Sequence, residues 1–249
     1  MVLRAALLGL AVALAPAFGG ATEPPPRAVT EARFADPTDR YRHNVLGDLP
    51  AYGTLVLKVD RCHACARADI VERRLVLPPE LVFEDVAPRL VDLAGYGQPH
   101  VIVVEAHVSK GARLAVYDDE GRVAATPFIG RAHRWLAPAG AADLDGDGRM
   151  EIAFVDRPHL ARVLRVWRWE RWGELTEVAE LPGLSNHRIG EAFISGGIRD
   201  CGTGPEIVTA DAGWTRVMAT RLKAGRLHAR ALPQRPDAAG FATALACTE

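Results

Sequence analysis

Apolar and polar positions along the chain fall into short runs. "HVIVVEAHV", "RLAVYDDEGRVAATPFI", "EIAFVD", "RVLRVWRWERWGELTEVAEL", "EIVTADAG" and "RVMATRLKAGRLHARAL" are rich in β-branched and aromatic residues and are interrupted by Gly, Asp and Pro. Such runs predict strands joined by tight turns, and no stretch sustains a helical period. The runs are also alike. Aligned on a Gly-x-Gly pair, "VDLAGYGQPHVIVV", "AADLDGDGRMEIAFV" and "GGIRDCGTGPEIVTA" place their first glycines, Gly95, Gly146 and Gly202, at intervals of 51 and 56 residues. Each copy continues through a β-run and a loop to a hairpin whose turn holds Gly121, Gly173 or Gly225. A degenerate fourth unit precedes them in "HNVLGDLPAYGTLVLKVD" and "DIVERRLVLP".

A repeat of ~50 residues with about four short strands has the size of a β-propeller blade. One blade cannot bury both of its faces, so several must pack together. The expectation is an all-β β-propeller of four, possibly five, blades over residues 40–249. A sandwich built from the same hairpins is the main rival.

The first residues change the picture of where the chain works. Arg4 precedes an apolar run from Ala5 to about Phe18, and the small residues Gly19 and Ala21 follow. This is the pattern of a secretory signal peptide over residues 1–21, with a run shorter than the roughly 20 residues of a spanning helix. Residues 22–39, beginning "TEPPPRAVTEA", read as a Pro-rich linker. A periplasmic or secreted protein with no membrane span after signal cleavage is expected. Without the signal peptide, 29 basic side chains face 31 acidic ones. That balance argues against nucleic acid as a partner, which needs clustered Lys and Arg.

The four cysteines of an exported chain favour disulfides. Three pairings are possible in principle. Cys62 and Cys65 in "RCHACA" lack the following His of a haem site, lie between β-runs rather than at a helix start, and have only His63 nearby as a further zinc ligand. A small disulfide is expected there, with redox activity or metal capture as alternatives. Cys201 and Cys247 are then left to pair.

The most chemical stretch is "AADLDGDGRMEIAFVD". Counting Asp143 as the first position, Asp145 and Asp147 offer side-chain oxygens at the third and fifth, Arg149 a backbone carbonyl at the seventh, and Glu151 a carboxylate at the ninth. Alternate oxygens can curl round a hard cation, Gly146 and Gly148 permit sharp turns, and oxygen-only ligation selects calcium or magnesium. Phe154 at the twelfth position excludes an EF-hand. The competing reading is a polar turn without metal.

Flanked by β-runs and repeated in weakened form, "DLDGDGRMEI" resembles the FG-GAP or VCBS-type repeat of integrin-like β-propellers. The resemblance covers roughly residues 85 to 220 and is specific in this one copy. It implies one calcium site through Asp143, Asp145, Asp147 and Glu151, with Glu where Asp is more usual at the last position. The other copies keep only Asp92 and Glu206 of the set.

Two further groups stand out. "SNHRIGE" carries Asn186, His187, Arg188 and Glu191, and "DRPHL" carries His159. His beside Glu could serve acid–base chemistry, or the residues could tie neighbouring blades together. "WRWERW" places Trp167, Trp169 and Trp172 near a hairpin turn, for packing between blades or for binding sugar or protein. The sequence-based expectation is a calcium-stabilised binding or scaffold module for an unknown protein or glycan ligand, without catalysis. The alternative is a periplasmic or secreted hydrolase or lyase using His187, Glu191 and a bound metal.

Overall fold

A computed structural model describes residues 27–170 and 173–248. The expected signal peptide over residues 1–21, residues 22–26 of the expected linker and Trp172 lie outside the described residues. The described chain is all-β apart from one short helix.

Three four-stranded antiparallel meanders follow the repeat. The first comprises β5 (Arg89–Val91), β6 (His100–His107), β7 (Gly111–Tyr117) and β8 (Arg122–Ala125); the second, β9 (Leu136–Ala142), β10 (Glu151–Asp156), β11 (Val163–Trp169) and β12 (Leu175–Pro182). The third comprises β14 (Gly197–Asp200), β15 (Pro205–Asp211), β16 (Val217–Lys223) and β17 (Arg226–Ala231), and the two-residue β13 (Leu184–Ser185) extends the edge of β15. Gly-x-Gly pairs occupy the first turn of each meander, and Gly121, Gly173 and Gly225 the last.

Residues 22–39 are not simply a linker. Ala28–Thr38 forms β1, which pairs along its length with β2 (Ala51–Asp60), and β2 pairs on its other side with β3 (Ile70–Val76). The prolines at residues 24–26 hide an alternating "AVTEARFA" that seats Val29 in the core and stacks Phe34 on Tyr52 and Phe83, with ring centroids 5.5 and 5.3 Å apart. Pro37 is tolerated because β1 is an edge strand. β4 (Leu81–Phe83) bridges β2 and β6, so the first unit and the first meander merge into an eight-stranded sheet curled as a half-barrel.

The central strands explain the continuous apolar runs. On β6, Val101 and Val103 pack toward β1 and β2, while Ile102 and Val104 pack toward the second meander. On β10, Ile152 and Phe154 face back toward β6, and Ala153 and Val155 face the third meander. A strand buried on both faces needs apolar side chains at every position. Trp169, buried, lies 4.8 Å from the His100 ring and packs between two meanders, with Trp167 against the same core.

The last sheet's outer face is covered by α1 (Ala238–Leu245), which the apolar pattern does not announce. Phe241 and Ala244 pack on Val208, Ala210 and Val217. Asp237 caps its first turn by accepting from the Gly240 amide at 2.9 Å. Gly240 interrupts the helical pattern because a Cβ there would lie 1.8 Å from the Arg235 carbonyl oxygen. Arg199 donates to the Ala244 carbonyl at 2.7 Å, and a Cys201–Cys247 disulfide fastens the same end. The second disulfide joins Cys62 and Cys65 in the β2–β3 turn. Both suit an oxidising compartment. Among the described residues no helix is long and apolar enough to cross a membrane.

Candidate functional site

The turn from β9 to β10 carries the acidic loop. Asp143 accepts the Gly146 and Asp147 amides on Oδ1 at 2.8 and 3.1 Å and the Gly148 amide on Oδ2 at 3.0 Å. Gly146 and Gly148 are left-handed, at φ 79° and 83°, the conformation that keeps these amides pointed inward. Glu151 opens β10 fully buried; its Oε2 accepts the Leu144 amide at 2.8 Å. Arg168, directly across the ladder on β11, donates to Glu151 Oε1 and to Asp145 Oδ2, both at 2.6 Å.

The donor oxygens of Asp143, Asp145 and Glu151 lie within 4.8 Å of one another. Asp147 stands apart from that trio. Its carboxylate takes the side chain of Arg149 at 2.7 Å and the Arg149 amide at 2.9 Å, and these hydrogen bonds hold its carboxyl below the usual range. Arg149 itself also reaches Glu170, at 3.5 Å. The cation between the acids in this structure is therefore a guanidinium. An oxygen-only set of three carboxylates still fits a hard divalent cation, provided Arg168 swings away from Asp145 and Glu151.

The sibling loops separate turn chemistry from charge. Asp92 accepts the Gly95, Tyr96 and Gly97 amides at 2.9, 3.2 and 2.7 Å, reproducing the Asp143 pattern without neighbouring acids. Asp200, whose loop is two residues shorter, accepts Gly202 and Gly204 at 2.8 and 3.1 Å. Residue alignment on the glycines misses Asp200, because the shortening moves it out of column.

The strand heads after these loops differ. His100 has a buried Nδ1 without a partner among the described residues, Glu151 has Arg168, and Glu206 has Arg199, Arg221 and Arg230 at 2.7, 2.8 and 2.9 Å. Burial pushes the Glu151 carboxyl up despite Arg168. Burial also pushes Glu206 up, but the three arginines outweigh it and hold it at about 2.

A second cluster gathers on the connections between strands. His187, fully buried, meets the backbone carbonyl of Glu191 through Nε2 at 2.8 Å and His159 Nε2 through Nδ1 at 2.8 Å. Asn186, also buried, donates to the Ala137 carbonyl at 3.1 Å. The Glu191 carboxylate turns instead to Arg188, at 3.6 Å. Trp135 packs edge-on to His187 at 4.9 Å and parallel to His159, and its indole donates to the Glu84 carbonyl at 2.8 Å. The Glu84 carboxylate holds His43 Nδ1 at 3.0 Å, and burial pushes that carboxyl up. Burial, reinforced by His187 and His43, lowers His159 to about 4, and burial lowers His187 as well.

His43, Glu84, His133 and Trp135 were not readable as a group. They lie on connections far apart in sequence, and only the fold brings them to His159 and His187.

No family model matches the chain, and no curated protein matches it.

Proposed function

We propose that this is an exported, non-catalytic binding module whose meanders close as a β-propeller of the FG-GAP or VCBS type, with calcium held by the Asp143–Glu151 loop. The observation that carries the non-catalytic reading is the state of His187. A general base needs a free ring nitrogen within reach of solvent or substrate. His187 is buried with both nitrogens engaged, and Glu191 reaches it through the backbone carbonyl only. A His187–Glu191 acid–base pair, the core of the hydrolase alternative, has no support in this arrangement.

Support for the propeller comes from meanders stacked face to face, each central strand buried on both sides. Support for calcium comes from the converging oxygens of Asp143, Asp145 and Glu151. When bound, the cation would replace Arg168 as the charge among these carboxylates.

The test is replacement of His187 and of Glu191 by Ala, followed by melts and a panel of phosphate, glycosyl and ester substrates. Loss of His187 strands the His159 Nε2 donor and the Glu191 carbonyl, so a cost of about 1–3 kcal/mol is expected. Glu191→Ala keeps that carbonyl and should leave the melt nearly unchanged. Wild-type turnover that His187→Ala abolishes without loss of stability would overturn the binding-module reading.

A further inference from the structure

The histidine cluster borders a hollow of about 200 Å³ whose walls include His43, Arg134, Trp135, His159, Leu160 and Ile189. It is assembled from the β1–β2, β8–β9, β10–β11 and β13–β14 connections. Residues that distant converge on one cavity only through the fold, the usual construction of a ligand site.

The chemistry of the lining is specific. No carboxylate faces the hollow among the described residues. The charge of Arg157 is already met by Asp156, at 2.9 and 2.8 Å, whereas Arg134 donates only to the His133 carbonyl and has no carboxylate partner among the described residues. Arg134 therefore offers a cation without a counterion.

The imidazoles offer the opposite polarity. The Glu191 carbonyl can only accept, so the neutral His187 carries its proton on Nε2 and accepts on Nδ1. His159 must then donate from Nε2, which leaves Nδ1 as a bare acceptor. His43 has Nδ1 engaged by Glu84, and its Nε2 has no protein partner among the described residues. Leu160 and Ile189, both exposed, add apolar surface at the rim, and Trp135 adds an aromatic wall.

Building on the binding-module reading, we propose that this hollow binds a single acidic sugar ring. Its carboxylate would pair with Arg134, a hydroxyl would donate to His159 Nδ1 and another would meet His43 Nε2, and its carbon face would lie against Trp135, Leu160 and Ile189. A simple anion would leave the bare His159 acceptor unmet, and a neutral sugar would leave Arg134 unmet. The volume suits one ring rather than a chain.

Titration calorimetry with glucuronate and galacturonate tests the assignment, with glucose, benzoate and inorganic phosphate as the arms that lack the acid, the hydroxyls or the ring. Saturable binding of at least one uronate is expected, at least tenfold tighter than any of the three controls. Arg134→Gln should weaken it tenfold or more with an unchanged melt, Arg134→Lys should recover part of the loss, and Arg131→Gln, an exposed neighbour outside the lining, should change nothing. No uronate binding by the wild type, equal binding of any control, or indifference to Arg134→Gln overturns the proposal. Failure of the binding-module reading shows separately: a uronate derivative that binds and is turned over refutes that reading and leaves the site in place.

Discussion

Glu151 and Glu206 stand at the heads of equivalent strands, as the first residue of β10 and the second of β15, and both are buried, yet their surroundings push their carboxyls in opposite directions. Among the described residues Glu151 has one guanidinium, Arg168, and shares it with Asp145 and Asp147. Glu206 receives three, from Arg199, Arg221 and Arg230, and among the described residues no other carboxylate pairs with them. The third meander has thus built its counter-charge entirely from side chains. The second has more acid than base at the same place, which is where an added cation has something to do. Burial alone does not decide the state of a carboxylate; the count of partners does.

The largest effect should come from removing the fully compensated acid. Glu206→Gln takes the carboxylate from the buried Arg199 and from Arg221 and Arg230, whose side chains are partly exposed; breaking a buried pair costs about 3–5 kcal/mol, and solvent around two of the three partners sets this variant at the lower end. Glu151→Gln strips one arginine and also relieves repulsion from Asp145, so its cost should be distinctly smaller. Urea unfolding of both variants at neutral pH measures the difference. Equal losses would mean that partner number does not set the stability of these strand heads.

Acid should expose the same contrast on a somewhat smaller scale. The folded pKa of Glu206, about 2, lies below an unfolded value of about 4.3. A depressed carboxyl stabilises the fold above the unfolded pKa and loses that contribution as pH falls through the folded one. Between roughly pH 4.3 and 2 the wild type should therefore lose about 3 kcal/mol that Glu206→Gln does not have to lose. Parallel stability curves for the two proteins across that window would refute the assignment.

These contrasts also show why parts of the molecule were legible in the residues and parts were not. The central strands announce themselves because a strand buried on both faces is apolar throughout, as in "VIVV" and "IAFV", and the glycines announce the turns because the left-handed backbone at Gly146 and Gly148 admits little else. Asp143, Asp145 and Glu151 were legible as a cluster because they are local. Arg168 was not, because cross-strand register and not spacing brings it to Glu151, and Arg221 and Arg230 reach Glu206 in the same way from β16 and β17. β1 was masked by the prolines ahead of it, and α1 by its eight residues and its glycine. The histidine cluster depends on connections that approach only after the meanders have stacked.

The finest comparison sets Asp143 against Asp92, which hold their loops by the same three amide hydrogen bonds. In chelator, Asp92→Ala and Asp143→Ala should each cost about 1 kcal/mol, the usual contribution of such caps. If calcium joins Asp145, Glu151 and Asp143, calcium at ~100 times its Kd stabilises the wild type by about 2.7 kcal/mol. Asp92→Ala should keep that increment in full, because its loop lacks the other acids, and Asp143→Ala should lose most of it. Melts of the three proteins, in chelator and in millimolar calcium, give the six values needed. Should both alanine variants shift by the same amount in both buffers, the Asp143 loop is a turn like its sibling, and the guanidinia of Arg168 and Arg149 supply its counter-charge.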